Sequence, residues 1–274
     1  MNRLLWQPSD ERITNTNMHH FIQYINARQG KNFNSYDDLY RWSVTESPAF
    51  WQSLFHYGEV IHSRPYDQVV DDIHKMPGAN WFEGARLNFA ENLLRYRDER
   101  IALSFKGAAR PTLSITYSEM YQQVARLAKS LRDMGTQAGD RIAAFMPNMI
   151  ETVVAMLAAT SIGAIWSSCS PDFGIKGVID RFGQIEPRIL FTADGYFYNG
   201  KEFDSLDRVS EIIKDLPSIE KIVVVPYKHM YPDIAKINNS VLFEDFLAWE
   251  AKDLIFEQVP ANHPLYILYS SGTT

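Results

Sequence analysis

From residue 101 onward the chain alternates short apolar runs with longer amphipathic segments, and this alternation constrains its fold more than any other feature. Ile101–Phe105, Leu113–Thr116, Arg141–Met146, Ala164–Trp166, Arg188–Thr192, Lys221–Val225 and Leu265–Leu268 read as strands. Tyr117 to Leu131 places Met120, Val124, Leu127 and Leu131 on one helical face and closes near Gly135. Ile150 to Ser161 is an apolar helix, and further helices are expected near 175–185, 204–215 and 241–251. The expected fold class is therefore α/β: a mostly parallel sheet flanked by helices on both faces. Ligands of such sheets bind at the carboxyl ends of the strands.

Residues 1–100 differ. They are aromatic-rich and helical in pattern, and read as an extension laid against an α/β domain spanning 101–274. Met18, Phe21, Ile22 and Ile25 share a helical face. Ser35 and Asp38 form a capping-box pattern. Ser47-Pro48 reads as a helix cap followed by Pro at the first helical position, with Gly58 closing that helix. Trp42, Trp51 and Trp81 are expected to pack a core.

Two stretches suggest phosphate chemistry. The first is Tyr266-Ile-Leu-Tyr-Ser-Ser-Gly-Thr-Thr274, a strand delivering small hydroxyl residues around a glycine. Glycine lets successive N–H groups converge on an anion, and Ser270, Ser271, Thr273 and Thr274 add hydroxyl donors without bulk. A polar turn after a strand would have the same composition. The second is Gly195-Tyr-Phe-Tyr-Asn-Gly-Lys201, which has the G-x-x-x-x-G-K spacing of a P-loop after a strand. Glu202 stands where a Ser or Thr should reach magnesium, and Tyr196, Phe197 and Tyr198 crowd a loop whose backbone must approach phosphate.

Other chemistries find no support. The seven histidines lack metal-ligand spacing, so no metal site is expected. There is no G-x-S-x-G elbow and no Gly-rich dinucleotide fingerprint. Cys169, the single cysteine, reads as a small buried residue at a strand end, and a lone thiol fits a reducing cytoplasm. A net charge of -6 with both signs interspersed argues against a nucleic-acid partner. No segment approaches the roughly 20 apolar residues of a membrane span.

In combination, these motifs resemble the adenylate-forming acyl-CoA synthetase family. The resemblance rests on Leu113-Ser-Ile-Thr-Tyr-Ser-Glu-Met120, on Gly135-Thr-Gln-Ala-Gly-Asp-Arg-Ile-Ala-Ala-Phe-Met-Pro-Asn148 with Glu151 and Gly163-Ala164, and on Tyr266–Thr274. Trp81-Phe-Glu-Gly-Ala-Arg-Leu-Asn-Phe-Ala-Glu-Asn-Leu-Leu94 is similar to the extension of the acetate- and acetoacetate-activating members. Trp166-Ser-Ser-Cys-Ser-Pro-Asp-Phe-Gly174 looks more like the acetoacetate branch; Ser167 and Ser168 depart from the acetate pattern.

The resemblance implies an ATP-dependent acid–CoA ligase with Mg-ATP, CoA and acetoacetate as substrates. It implies that Ser270, Ser271, Gly272, Thr273 and Thr274 hold the ATP phosphates. It places Lys201, Tyr198 and Ser168 near CoA, with Tyr198 and Lys201 standing where acetate enzymes carry arginines. The family's main catalytic groups and its smaller C-terminal domain are expected beyond residue 274. The chain alone is therefore expected to be inactive, with a sheet edge open to self-association. An acetate or propionate ligase, a P-loop-like nucleotide-binding protein and a non-catalytic fragment remain open as alternatives.

Overall fold

A computed structural model describes residues 5–107 and 112–270. Ser271, Gly272, Thr273 and Thr274, four of the five residues expected at ATP, lie outside the described residues. The chain divides into two compact units, Met1–Ala85 and Arg86–Thr274.

The first unit packs helices α1 (Asn17–Gln29), α2 (Tyr36–Thr45) and α3 (Ser47–Tyr57) around Phe21, Ile22, Ile25, Leu39 and Trp42. The capping box forms as the spacing predicts. Ser35 Oγ accepts from Asp38 N at 3.2 Å, and Asp38 Oδ2 accepts from Ser35 N at 3.1 Å. Three local expectations are corrected. Met18 is 46% exposed, because it lies in the first turn of α1, short of the core. Ser47 is not the cap: Glu46 holds that position, and Ser47 Oγ donates back to Ser43 O at 2.9 Å. Trp42 is buried, whereas Trp51 is 42% exposed and meets Trp81 edge-on at 6.2 Å.

The second unit is built on six strands: β1 (Arg141–Phe145), β2 (Ile165–Cys169), β3 (Ile189–Ala193), β4 (Lys221–Val225), β5 (Ser240–Leu242) and β6 (Tyr266–Ile267). Their spatial order is β5-β4-β3-β1-β2-β6, and every pairing is parallel. Helices α4 (Tyr117–Asp133), α5 (Ile150–Ser161), α6 (Ile175–Ile185) and α7 (Leu206–Ile212) cover both faces. Alternate strand residues divide between two cores, as a period of two requires. Ile142 and Ala144 of β1 join Val223 and Val225 of β4 against Val124 and Leu127 of α4 and Val154 and Leu157 of α5. Ala143 and Phe145 join Ile222 and Val224 against Val178 and Phe182 of α6 and Val209 and Ile212 of α7. Burying one such Phe or Leu side chain contributes about 1.5–3 kcal/mol. Both faces being covered explains why these strands are apolar throughout.

The expected helix at 241–251 is replaced by the edge strand β5 and a single turn, Phe243–Phe246. Beyond it the chain runs back onto α4, where Ala248 N donates to Arg126 O at 3.4 Å and to Ser130 Oγ at 2.9 Å. The helix expected at 204–215 begins at Leu206, because Asp204 belongs to the preceding strand. Its Oδ1 accepts from Leu206 N at 2.8 Å and Asp207 N at 3.2 Å.

The Gly135–Asp140 part of the family-like motif lies at the amino ends of the strands. Arg188 there donates to Asp140 Oδ2 at 2.6 Å, Gly135 O at 3.0 Å and Glu220 Oε2 at 2.7 Å. The two carboxylates, Glu220 first, push the Arg188 guanidinium further up, and the hydrogen-bonded guanidinium in turn holds the Glu220 carboxyl low. This network braces the end of the sheet opposite to the one where ligands of such folds bind.

Candidate functional site

The connections through the second unit leave β1 toward one face of the sheet and β2 and β3 toward the other. Helix α5, which follows β1, packs in one core; α6 and α7, which follow β2 and β3, pack in the other. The chain therefore parts at the carboxyl end of β1, the topological switch point where open α/β sheets bind ligands. A cavity of about 480 Å³ opens there. Its lining comes from four strand ends: Met146, Pro147 and Asn148 after β1; Ser168 to Asp172 around the end of β2; Tyr196, Phe197 and Tyr198 after β3; and Tyr227 after β4.

Each wall has a local cause. Pro147 ends β1, and its carbonyl accepts from Thr152 Oγ1 at 2.7 Å, fixing the turn into α5. Thr192 Oγ1, fully buried, donates to Phe145 O at 2.9 Å and ties β3 to β1. The aromatic wall is a hairpin, Gly195–Tyr198 paired antiparallel with Lys201–Asp204. Asn199 and Gly200 both adopt positive φ, 49° and 71°, the signature of a tight two-residue hairpin turn. The P-loop-like spacing is thereby explained without phosphate: no strand–loop–helix cradle forms over Gly195–Lys201. Gly195 is required for packing, since a Cβ there would collide with the carbonyl oxygen of Phe203.

Asp194, between β3 and the hairpin, holds the opposite rim. Its side chain is completely buried. It accepts from Tyr227 N at 2.6 Å, Lys228 N at 2.7 Å, His229 N at 2.8 Å and His229 Nδ1 at 3.0 Å. One carboxylate thus closes the loop after β4 and presents Tyr227 to the cavity, where its ring meets Phe197 edge-on at 5.8 Å.

Of the residues expected from the sequence at a coenzyme, Ser168 and Tyr198 line this cavity together. Lys201 does not; it pairs with Tyr198 across the hairpin and is exposed. Ser270 follows β6, which pairs with β2 through Trp166 N to Leu265 O at 3.0 Å and Ser167 Oγ to Ile267 O at 2.9 Å. It therefore leaves the carboxyl edge of the same sheet. Cys169 also lines the cavity, and burial pushes its thiol up to about 11, which keeps it protonated near neutral pH and poorly nucleophilic. Sequence reasoning missed Tyr196, Phe197, Tyr227 and Asp194. The aromatic triplet beside Gly195 was a usable signal, since it argues for a stacking wall as well as against a phosphate loop.

Among the described residues no helix is long and apolar enough to cross a membrane. No group of three or more His, Cys, Asp or Glu side chains among them could hold a metal ion.

Comparison with known proteins adds two family matches. Residues 89–274 match the model described as AMP-binding enzyme, and residues 36–93 match that described as acetyl-coenzyme A synthetase N-terminus. The chain is 45% identical over 282 residues to an acetoacetyl-CoA synthetase of Gallus gallus, covering 100% of this chain and 42% of the relative. It is 45% identical over 274 residues to an acetoacetyl-coenzyme A synthetase of Rhizobium meliloti (strain 1021), covering 99% of this chain and 42% of the relative. A solved acetoacetyl-CoA synthetase from Streptomyces lividans superposes with a TM-score of 0.91 at 39% identity, covering 100% of this chain and 42% of that one. The chain thus spans about two fifths of the length of these relatives.

Proposed function

The chain belongs to the AMP-binding enzyme family, and from that premise we propose that it forms the part of an acetoacetate–CoA ligase that frames the coenzyme and the ATP phosphates. In this reading the carboxylate of acetoacetate attacks the α-phosphorus of ATP, which enters with its Mg²⁺ as substrate. Pyrophosphate leaves and an acyl-adenylate forms. The CoA thiol then attacks the acyl carbon, loses its proton and displaces AMP. The residues of this chain contribute positioning and charge stabilisation.

The observation that carries the reading is the meeting of Ser168 and Tyr198 in one aromatic-walled cavity at the switch point of the sheet. Tyr198, Phe197 and Tyr227 offer faces and edges on which a purine can stack. Asn148, Ser168 and Ser170 offer the few polar groups that fix a ligand's orientation. We assign this cavity to the nucleotide end of CoA. Lys201 is assigned a peripheral charge for that nucleotide, reached from across the hairpin. Ser270 through Thr274 are assigned to the β- and γ-phosphates of ATP.

The same proposal takes residues 1–100 as the extension and 101–274 as the nucleotide-framing domain, working in the cytoplasm. Strand β6 pairs with β2 alone among the described residues, and Leu268 beside it is 76% exposed. That edge is the surface through which copies would associate.

Calorimetric titration of this chain with CoA tests the reading. Saturable one-to-one binding is expected, with a Kd between about 1 µM and 1 mM, the range of ordinary enzyme substrates. Absence of binding at millimolar CoA would overturn it.

A further inference from the structure

Helix α7 carries an arginine that does not line the cavity yet touches two residues that do. Arg208 Nη1 donates to Pro171 O at 3.2 Å and to Tyr196 Oη at 3.4 Å. Its guanidinium carbon lies 6.0 Å from the centre of the Tyr196 ring. Pro171 belongs to the segment leaving β2, and Tyr196 to the hairpin following β3. Because β1 lies between β2 and β3, these two walls stand two strand spacings apart, about 10 Å in the sheet. No strand pairing joins the two segments beyond the sheet. Arg208 Nη1 links the two segments, reaching the hairpin through the Tyr196 hydroxyl.

Its bonding partners support the assignment. Arg188 braces the opposite end of the sheet on two carboxylates, Asp140 and Glu220. Arg208 has no carboxylate at ion-pair distance among the described residues. Both of its acceptors are neutral oxygens on cavity walls. A guanidinium placed this way defines a spacing and leaves a positive charge behind a site proposed to take a phosphorylated coenzyme.

Resting on the coenzyme reading, we propose that Arg208 is a positioning residue that sets the separation of the hairpin and the β2 exit segment, and with it the fit of the CoA nucleotide. The test is a double-mutant cycle read by CoA titration, with thermal unfolding alongside. Arg208→Met is expected to weaken CoA binding about 10-fold, the effect of one charge-assisted contact. Arg208→Lys, which keeps the charge and can remake part of the contact, is expected to recover binding to within about 3-fold of the parent. Tyr196→Phe removes one acceptor, and its effect is expected to be largely absent in the Arg208→Met background. All three variants should unfold within a few degrees of the parent. Unchanged CoA affinity in Arg208→Met overturns the proposal. So do losses that multiply independently in the double variant, or a loss of affinity matched by a general loss of stability. A parent chain that binds no CoA overturns the coenzyme reading itself, a result separable from a parent that binds and an Arg208→Met that binds equally well.

Discussion

Replacing Asp194 with Ala is expected to destabilise the second unit by about 3–5 kcal/mol, the cost of breaking a buried charged cluster. The carboxylate is completely buried and accepts four hydrogen bonds between 2.6 and 3.0 Å. Three come from successive backbone N–H groups of Tyr227, Lys228 and His229, which no other group in the loop replaces. A buried donor left without an acceptor costs about 1–3 kcal/mol, and water entering the vacated space recovers part of that. Asp194→Asn keeps one acceptor oxygen and turns the other position into a donor facing N–H groups, so it is expected to cost roughly half as much. Against a typical total of about 5–15 kcal/mol, the alanine change consumes a large share. Urea unfolding followed by tryptophan fluorescence measures it, with Trp166 of β2 reporting the second unit. A shift below about 1 kcal/mol would mean that the loop after β4 is held by something other than this carboxylate.

The second large effect falls on binding and spares the fold. Ser168→Trp should weaken CoA at least about 100-fold, equivalent to some 2.7 kcal/mol. Ser168 is exposed at the end of β2 and faces the cavity. A Trp side chain there grows into open space and fills much of the volume a nucleotide base needs. Because it buries no polar group and displaces no core atom, its effect on unfolding should stay within about 0.5 kcal/mol. Ser168→Ala is the control, expected to change the affinity by no more than a few-fold. Unaltered CoA binding by Ser168→Trp would place the coenzyme elsewhere.

The sequence made the sheet legible because its strands are buried on both faces. Arg141–Phe145, Lys221–Val225 and the helix Ile150–Ser161 stand out as apolar runs bounded by Pro, Gly and charge. β5 was not legible. Ser240–Leu242 is short, lies at the sheet edge and runs directly into an apolar Phe243–Phe246 turn, so its pattern matches a helix as well as a strand. At the candidate site, Ser168 and Tyr198 could be placed by motif, since each sits at a fixed offset from a strand end. Asp194 and Arg208 could not. The partners of Asp194 lie 33 to 35 residues away along the chain and those of Arg208 lie 12 and 37 away, and the parallel sheet order brings them together. The Gly195–Lys201 spacing misleads for a related reason. It satisfies a pattern whose meaning depends on the element that follows, and a hairpin follows where a helix would be needed.

Hydrogen–deuterium exchange of the chain with and without saturating CoA tests the central claim most directly. Slowed exchange is predicted in the segments 146–148, 168–172 and 195–204, which form the cavity walls, with α1 to α3 of the first unit unchanged. Protection that leaves these three segments untouched, or appears only in the first unit, would contradict the assignment of the switch-point cavity to the coenzyme.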